Sequence, residues 1–257
     1  MADVLAELRA KVALACRILA QQGLVRDIIG HVSARVPGTG EMLIRCRGED
    51  EYGLRFTTTG QVRRLDFDGH GDGLGAAHVA PIELPIHGEI YKARPDAGAV
   101  VHAHPRAALF CGLAGIELRP LFGAYDPYAL ELAAAGVPVF PRSVLIDSAA
   151  VAGDLIRVMG AHSVCLMRGH GIAVIGDTVE QAAVRALKLE ALAEVAWQLA
   201  AAGRDVDAIP PEELASFTAR SEGKGVIPGG ERWLWRHYAR LAEEDVPALP
   251  TATQTGE

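Results

Sequence analysis

The hexapeptide VVHAHP spans residues 100–105 and joins an apolar run to two histidines and a proline. Its β-branched residues predict a strand over residues 99–104 that ends at Pro105, because proline lacks the N–H that a sheet needs. Side chains two positions apart on a strand point to the same face, so the imidazoles of His102 and His104 are directed toward one point. Two interpretations are open for this pair: a metal site, or two histidines held by packing and buried hydrogen bonds.

A third histidine favours the metal interpretation. His170 lies between Gly169 and Gly171, directly after a predicted strand, where glycine lets the backbone approach a site closely. Three neutral imidazoles with open coordination positions are typical of a catalytic metal site, whereas a structural site is closed by four protein ligands. We therefore predict that His102, His104 and His170 hold one divalent metal ion per subunit.

A carboxylate near these histidines would complete the chemistry of the site. Glu83 precedes a helix predicted over residues 85–94, and the start of that helix is expected to face the end of the histidine-bearing strand. Glu83 is therefore a candidate acid or base; the alternative is an ordinary helix-start carboxylate that the helix dipole favours. His87 lies one helical turn further on, where it would either orient Glu83 or pack in the core. Imidazole ligands suit Zn, Mn, Fe or Co, so the sequence does not identify the ion.

Residues closer to the N-terminus are candidates for contacts with the substrate. His31 lies in the sequence GHVSAR, residues 30–35, which we interpret as a polar turn that presents the imidazole to a ligand. Arg45 and Arg47 alternate on a predicted strand, so their shared face would offer a guanidinium to a carboxylate; the alternative is a solvated strand face. The glycine-rich stretch 69–78 is predicted as a mobile surface loop; a phosphate cradle is the alternative, although no Lys follows the stretch.

The remaining pattern predicts an alternation of helices and strands. Further helices are expected from periodicity, caps and glycine stops at residues 3–22, 107–114, 148–159, 178–202 and 231–243. Further strands are expected at residues 42–45, 54–58, 63–67, 137–140, 164–167 and 172–175. We divide the chain into a catalytic domain, residues 1–205, and a C-terminal arm with a short helix, residues 206–257. The polar stretch 203–230 is interpreted as an extended linker, and residues 247–257 are expected to be disordered.

Composition and charge argue against several classes of protein. Half of the 257 residues are hydrophobic and 22% are charged, which is enough apolar material for a large core. The net charge is −7 and no basic stripe is present, so we expect no binding to nucleic acid. No apolar run is long enough for a membrane span, and the N-terminus lacks the order of a signal peptide, so we expect a cytoplasmic protein. The motifs HExxH and GxSxG are missing, which argues against a zincin protease and a serine hydrolase.

Taken together, the motifs resemble those of the class II aldolase/adducin family over roughly residues 5–202. The residues that carry the resemblance are the GHVSAR stretch, Thr58-Thr59-Gly60, Glu83 with His87, Arg94-Pro95-Asp96, VVHAHP, and RGHGI at residues 168–172. GHVSAR is similar to the family's GNxS-type turn, and the Thr58-Thr59-Gly60 sequence is similar to its TPTG-type turn.

The resemblance implies a three-layer α/β/α sandwich with a mainly antiparallel central sheet. It also implies a homotetramer with active sites at the subunit interfaces. By the same resemblance, the histidines are the metal ligands, Glu83 is the acid/base, and Ser33, Thr59 and Gly60 contact the substrate. In several members a tyrosine from the neighbouring subunit donates a proton, and Tyr125 lies near that position, although its spacing does not match cleanly.

Departures from the family pattern reduce the range of possible substrates. Where the sugar-phosphate aldolases of the family have an Asn and paired serines, this chain has His31, Pro81 and Ile82. A phosphate dianion deprived of those hydrogen bonds would bind poorly, so we do not expect a sugar phosphate. The adducin-like branch lacks the metal histidines, all of which are present here. The stretch 45–49 and the GHVSAR sequence look more like the branch that decarboxylates hydroxy-aromatic and hydroxy-pyridine dicarboxylates.

The principal hypothesis is therefore a lyase that decarboxylates a hydroxylated aromatic or heteroaromatic carboxylate through a metal-stabilised enolate or carbanion. His31, Glu83 or a tyrosine would protonate the ring carbon. Three alternatives remain open: an aldolase for an unphosphorylated hydroxy-carbonyl compound, a non-haem iron oxygenase, and a non-catalytic adducin-like module. Release of CO2, release of an aldehyde and consumption of oxygen distinguish the three enzymes.

Overall fold

The computed structural model describes residues 2–71, 74–75, 77–221, 227 and 229–244. Its strands are β1 (His31–Arg35), β2 (Glu41–Arg45), β3 (Arg47–Gly48), β4 (Val62–Asp66), β5 (His78–Val79), β6 (Ala99–Ala103), β7 (Val139–Phe140), β8 (Val164–Met167) and β9 (Gly171–Gly176). Its helices are α1 (Ala2–Gln21), α2 (Leu84–Ala93), α3 (Arg106–Ala114), α4 (Pro127–Ala135), α5 (Ala149–Met159), α6 (Val179–Ala201), α7 (Pro211–Ser221) and α8 (Gly230–Glu244).

The central sheet is mainly antiparallel, as predicted. Within the described residues it has seven strands in the order β4-β2-β1-β6-β9-β8-β7, and β3 pairs with β5 in a separate two-stranded sheet. Only the β7–β8 pair in these ladders is parallel. The histidine-bearing strand β6 lies at the middle of the sheet, where His102 is opposite His31 of β1 and Ala173 of β9.

Helices cover both faces of the sheet, which confirms the α/β/α sandwich. On one face, residues of α1, α3, α4, α6 and α8 pack against alternate sheet residues such as Val101 and Val174. On the other face, α2 and α5 pack against the intervening residues, such as Val100 and Ala173. Because His102 lies two positions after Val100, its side chain projects toward the layer that contains α2.

Local sequence signals explain most of the helix ends. Pro85 is accommodated in the first turn of α2, where an N–H would have no partner within the helix, and Pro95 lies just beyond its end. Thr178 caps α6 by accepting a hydrogen bond from the amide of Gln181. Helix α4 was not predicted, yet its start follows the same rules: Asp126 accepts from the amide of Ala129, and Pro127 follows directly.

Three expected elements differ from the structure. The expected strand at 54–58 contains a 3-10 turn, Leu54–Phe56, whose first residue is buried beside α1. His31 does not lie in a turn; it begins strand β1 directly after Gly30, whose φ of 92° turns the chain into the strand. The stretch 203–230 is not wholly extended, because it contains α7, which begins at Pro211 and has two acidic residues in its first turn.

The C-terminal helix is packed on the rest of the fold. Ala242 of α8 is buried in the same cluster as residues of α1 and α6, and Gln21 donates a hydrogen bond to the carbonyl of Leu241 at 2.9 Å. The division into residues 1–205 and 206–257 remains a prediction. The disorder expected for 247–257 lies outside the described residues, as do positions 72, 73 and 76 of the glycine-rich stretch. Among the helices that the structure describes, none is long and apolar enough to cross a membrane.

A buried carboxylate on α6 anchors the helix that follows the histidine-bearing strand. Glu190 accepts hydrogen bonds from the amides of Ala107 and Ala108 at 2.8 and 2.9 Å. These amides belong to the first turn of α3, where they have no partner within the helix. Since α3 begins two residues after His104, this contact fixes the segment that carries that histidine.

We expect Glu190→Ala to lower the free energy of unfolding by about 2 kcal/mol, because two buried amides would lose their acceptor. Urea denaturation followed by circular dichroism measures the change. Glu194→Ala, an exposed carboxylate one turn further along the same helix, is the matched control and should leave stability nearly unchanged. Equal effects of the two substitutions would contradict the anchoring role of Glu190.

Candidate metal centre and cleft

Four side chains converge at one end of the sheet. Ligand atoms of Glu83, His102, His104 and His170 all lie within 4.8 Å of one another. The two oxygens of Glu83 lie 3.2 Å from Nε2 of His102 and from Nε2 of His170, and the Nε2 atoms of His102 and His104 are 2.8 Å apart. The structure therefore brings together the three histidines and the carboxylate that the sequence singled out.

The backbone explains how the third histidine reaches the other two. His170 lies in the tight turn between β8 and β9, and Gly169 has a φ of 65°, which favours glycine. A Cβ atom on Gly171 would lie 2.2 Å from the carbonyl oxygen of Ala103 and 2.9 Å from the His104 ring. A side chain at Gly171 would push the turn away from the end of β6. One at Gly169 would be strained by the positive φ and would collide with Ser143, so the two glycines position His170.

Glu83 is held as a buried carboxylate. It lies at the N-cap of α2 and accepts a hydrogen bond from the amide of Ile146 at 2.9 Å. Burial alone would raise the pKa of this carboxyl, but its contacts with His102 and His170 and the hydrogen bond from the Ile146 amide hold the pKa well below its usual range. Glu83 thus places a negative charge among the imidazoles.

The tautomer of His102 suits a metal ligand. Its Nδ1 lies 3.0 Å from the carbonyl oxygen of Ile172, which can only accept, so Nδ1 carries the proton in the neutral ring. The lone pair of Nε2 is then directed at His104 Nε2 and Glu83. Burial, followed by the nearby His102 and His170, lowers the pKa of His104 to about 3, so His104 is also neutral. Neutral imidazoles whose lone pairs converge beside a carboxylate form a donor set that fits a divalent cation.

The cluster opens into a cleft of about 330 Å³. Glu83, His104 and His170 contribute to its wall, together with His31 and Arg47. The other lining residues are largely apolar or small: Ile29, Gly30, Pro81, Ile82, Ser143, Val144, Leu145 and Gly169. Such a combination of apolar walls, a few polar groups and a metal-binding cluster is typical of a site for a small molecule.

The two arginines that were expected to share one strand face are separated. Arg45 ends β2, whereas Arg47 begins β3 in the other sheet. Arg45 is 2% exposed and is paired with Glu51, because a buried guanidinium needs a counter-ion. Arg45 therefore does not reach the cleft and is not placed to bind a substrate there. Arg47 lines the cleft, and within the described residues its guanidinium makes one long hydrogen bond, to the carbonyl of Ile28 at 3.5 Å.

The other predicted contact residues lie away from the cleft wall. Ser33 is buried behind it and contacts His87 and Tyr91. Thr59 and Gly60 form a 3-10 turn outside the cleft lining. Tyr125 is 79% exposed and packs edge-on against Phe122, so it does not reach the cleft of its own chain.

Some site residues could not be identified from the sequence. Ser143, Val144 and Leu145 line the cleft from a loop whose composition carries no chemical signal. The sequence predicts His87 either as an orienting partner of Glu83 or as a core residue. It is fully buried, yet its hydrogen bonds are with His31 and Ser33 and not with Glu83.

Comparisons with known proteins agree with this geometry. The model of the Class II Aldolase and Adducin N-terminal domain matches residues 10–197. A 3,4-dihydroxyphthalate decarboxylase from Arthrobacter keyseri is 42% identical over 212 residues, which cover 81% of this chain and 85% of the relative. Another with the same name, from Terrabacter sp., is 40% identical over 233 residues, which cover 89% of this chain and 94% of the relative.

Solved structures show the same fold. An aldolase II superfamily protein from Pseudomonas syringae superposes with a TM-score of 0.78 at 26% identity, covering 93% of this chain and 92% of that one. An L-fuculose 1-phosphate aldolase from Glaciozyma antarctica superposes with a TM-score of 0.74 at 20% identity, covering 93% of this chain and 89% of that one. From its fold, its histidine cluster and its relatives, the chain belongs to the class II aldolase and adducin family.

Proposed function

We propose that this protein is a metal-dependent decarboxylase of a dihydroxylated benzene dicarboxylate, with 3,4-dihydroxyphthalate as the first candidate. The observation that carries the proposal is the convergence of Glu83 with His102, His104 and His170 at the wall of a cleft that also contains Arg47. The relatives named for this activity supply the reaction and the substrate class.

His102, His104 and His170 would hold one divalent ion, for which the donor set admits Zn, Mn, Fe or Co. When bound, the ion supplies a Lewis acid that stabilises negative charge on the substrate as CO2 departs. The protein contributes a fixed set of neutral imidazoles and a small cleft with apolar walls. The apolar walls partly exclude water, and this strengthens electrostatic interactions between the site and a charged substrate.

Arg47 would hold the carboxylate that is retained. In 3,4-dihydroxyphthalate one carboxylate is adjacent to a hydroxyl group and the other is not. An oxygen of the first carboxylate and the oxygen of its neighbouring hydroxyl can share one site at the histidines. The carboxylate bound there would be the one that leaves as CO2. A planar guanidinium can bind the other carboxylate through two parallel hydrogen bonds, and Arg47 lines the cleft.

Glu83 would move the proton. Despite its own low pKa, Glu83 would accept the proton of the substrate hydroxyl, because a bound ion would lower the pKa of that hydroxyl. The bond between the ring carbon and the carboxylate then breaks, and CO2 leaves its electron pair on the ring carbon. Glu83 then returns the proton to that carbon. No net proton is taken up: the substrate loses its hydroxyl proton and gains a C–H bond, and the carboxylate charge ends on the hydroxyl oxygen.

The mouth of the cleft also favours an assembly of several subunits. Ile29, Ile82 and Leu145 line the cleft and are 38%, 64% and 50% exposed. Large apolar side chains grouped around a polar site are typical of a surface that another subunit covers. We propose a homotetramer in which a neighbouring subunit covers this mouth and contributes its exposed Tyr125 as a further proton donor.

The first prediction concerns the metal ligands. We expect His104→Ala to contain less than a tenth of the metal of the wild-type protein and to release no CO2, since one of three ligands is lost. Elemental mass spectrometry measures the metal, and trapping of labelled CO2 measures the reaction. His70→Ala, which removes an exposed histidine, is the control and should retain both. Full activity of His104→Ala would refute the assignment.

The second prediction concerns Arg47. We expect Arg47→Ala to lower kcat/KM for 3,4-dihydroxyphthalate about tenfold to a hundredfold, which corresponds to the loss of hydrogen bonds to a charged group. The matched control changes the substrate: 2,3-dihydroxybenzoate lacks the retained carboxylate, so wild type and variant should process it at similar rates. An equal loss with both compounds would show that Arg47 does not bind this carboxylate.

The third prediction concerns the neighbouring subunit. Tyr125→Phe and His104→Ala damage different halves of a shared site, so tetramers that mix the two variants should regain activity that neither variant has alone. Co-expression with two affinity tags isolates the mixed tetramers, and CO2 release is the readout. A mixture with no more activity than the separate variants would contradict a site shared between subunits.

A further inference from the structure

A buried series of hydrogen bonds leads away from the cleft. Nδ1 of His31 lies 2.7 Å from Nε2 of His87, and Nδ1 of His87 lies 2.6 Å from the hydroxyl of Ser33. The same hydroxyl lies 2.7 Å from the hydroxyl of Tyr91. All four residues are buried, and His31 is the member that lines the cleft. We call these residues the His31–Tyr91 relay.

The relay is built from two rigid elements. His31 and Ser33 are two positions apart on β1 and therefore share a face of the sheet, whereas His87 and Tyr91 are four apart on α2 and share a face of the helix. Arg35 ties these elements together: its guanidinium donates to the carbonyl of Tyr91 at 2.7 Å and lies 4.8 Å from the centre of the Tyr91 ring. Arg35 thus holds β1 against the part of α2 that carries Tyr91.

The donor and acceptor in each hydrogen bond of the relay can be assigned by starting from Tyr91, the member farthest from the cleft. Burial raises the pKa of the Tyr91 phenol above its ordinary value, so the phenol keeps its proton and must donate it. A backbone hydrogen bond with Val100 lowers that pKa in part, so it is a bond donated by an amide and not an acceptor for the phenol. In the described part of the chain, the hydroxyl oxygen of Ser33 is then the acceptor for Tyr91.

Each later bond is determined by the one before it. Within the described residues the Ser33 hydroxyl has hydrogen-bond contacts with Tyr91 and His87 only, so a hydroxyl that accepts from Tyr91 donates its own proton to Nδ1 of His87. An Nδ1 that accepts this proton carries none of its own, so the ring proton of His87 lies on Nε2. That proton is donated to Nδ1 of His31. The proton of neutral His31 therefore lies on Nε2, the nitrogen that the relay leaves free.

We propose that the His31–Tyr91 relay fixes His31 as a permanent N–H donor toward the cleft, where its Nε2–H binds a negatively charged oxygen of the substrate. His31 contacts the substrate; His87, Ser33 and Tyr91 are positioning residues that act through it. The identity of the oxygen depends on the proposed decarboxylation, whereas the tautomer of His31 does not. In this assignment His31 transfers no proton: its Nδ1 is already an acceptor, so loss of the Nε2 proton would leave an imidazolate.

Nitrogen NMR of the zinc-loaded protein without substrate tests the tautomer. The spectrum of protein labelled with 15N in its histidines distinguishes protonated from unprotonated ring nitrogens, and His31→Gln identifies the His31 signals. We expect Nε2–H and an unprotonated Nδ1 in the wild type. We expect a mixture of tautomers in Tyr91→Phe and in Ser33→Ala, which break the relay at different links. Tyr52→Phe, at an exposed tyrosine, should give the wild-type spectrum. A proton on Nδ1 of His31 in the wild type would overturn the proposal.

Kinetics test the role of the donor in catalysis. We expect Tyr91→Phe and Ser33→Ala to keep the wild-type metal content and to lower kcat about tenfold, the equivalent of one hydrogen bond to a charged oxygen. A changed tautomer with unchanged kcat and KM would overturn the role of His31 in substrate binding. If the wild-type protein shows the expected tautomer but releases no CO2, the proposed decarboxylation fails while the relay stands.

Discussion

The arrangement of the site depends on the burial of one carboxylate among imidazoles. Glu83 is 6% exposed and lies among His102, His104 and His170. A buried charge is tolerated only where hydrogen bonds or opposite charges replace the lost water. Here the Ile146 amide donates one hydrogen bond, and ring nitrogens from β6 and from the turn between β8 and β9 lie 3.2 Å from the carboxylate. These contacts with Glu83 form only when these three parts of the fold are correctly positioned relative to one another. The same positions make the imidazole lone pairs converge. A cation at that point would offset the negative charge and occupy the lone pairs together.

The sheet gives this centre two distinct surroundings. Beyond His102, the neighbouring strand β1 contributes His31, whose ring centre lies 4.9 Å from that of His102. Behind His31, the His31–Tyr91 relay fills the space between the sheet and α2 with hydrogen-bonded side chains, where an apolar core would otherwise lie. On the open side, the cleft offers Arg47 and apolar walls. The protein thus shares its fold with sugar-phosphate aldolases, while the groups at its cleft suit a flat, doubly charged aromatic compound.

The sequence predicted the centre of the fold better than its surroundings. The two-residue spacing of His102 and His104 and the glycines beside His170 carry geometric information, because strand periodicity and positive φ are local properties. The fate of Arg45 could not be predicted, since its partner Glu51 reaches it only through the intervening loop. The relay was equally hidden, because it depends on which face of α2 meets β1. The turn at 54–56 was missed because the packing of Leu54 beside α1 decides it. Helix α7 was missed although Pro211 and the two acidic residues after it are local signals of a helix start.

The central claim is that a divalent ion in the His102–His104–His170 site enables decarboxylation of a dihydroxylated benzene dicarboxylate. The most direct test follows the release of carboxyl-labelled CO2 from 3,4-dihydroxyphthalate by the protein as purified, after removal of metal with a chelator, and after return of Zn, Mn, Fe or Co in separate samples. The account predicts release that is lost with the metal and restored by at least one ion. Release that continues unchanged in metal-free protein, or no release with any of the ions, would contradict it.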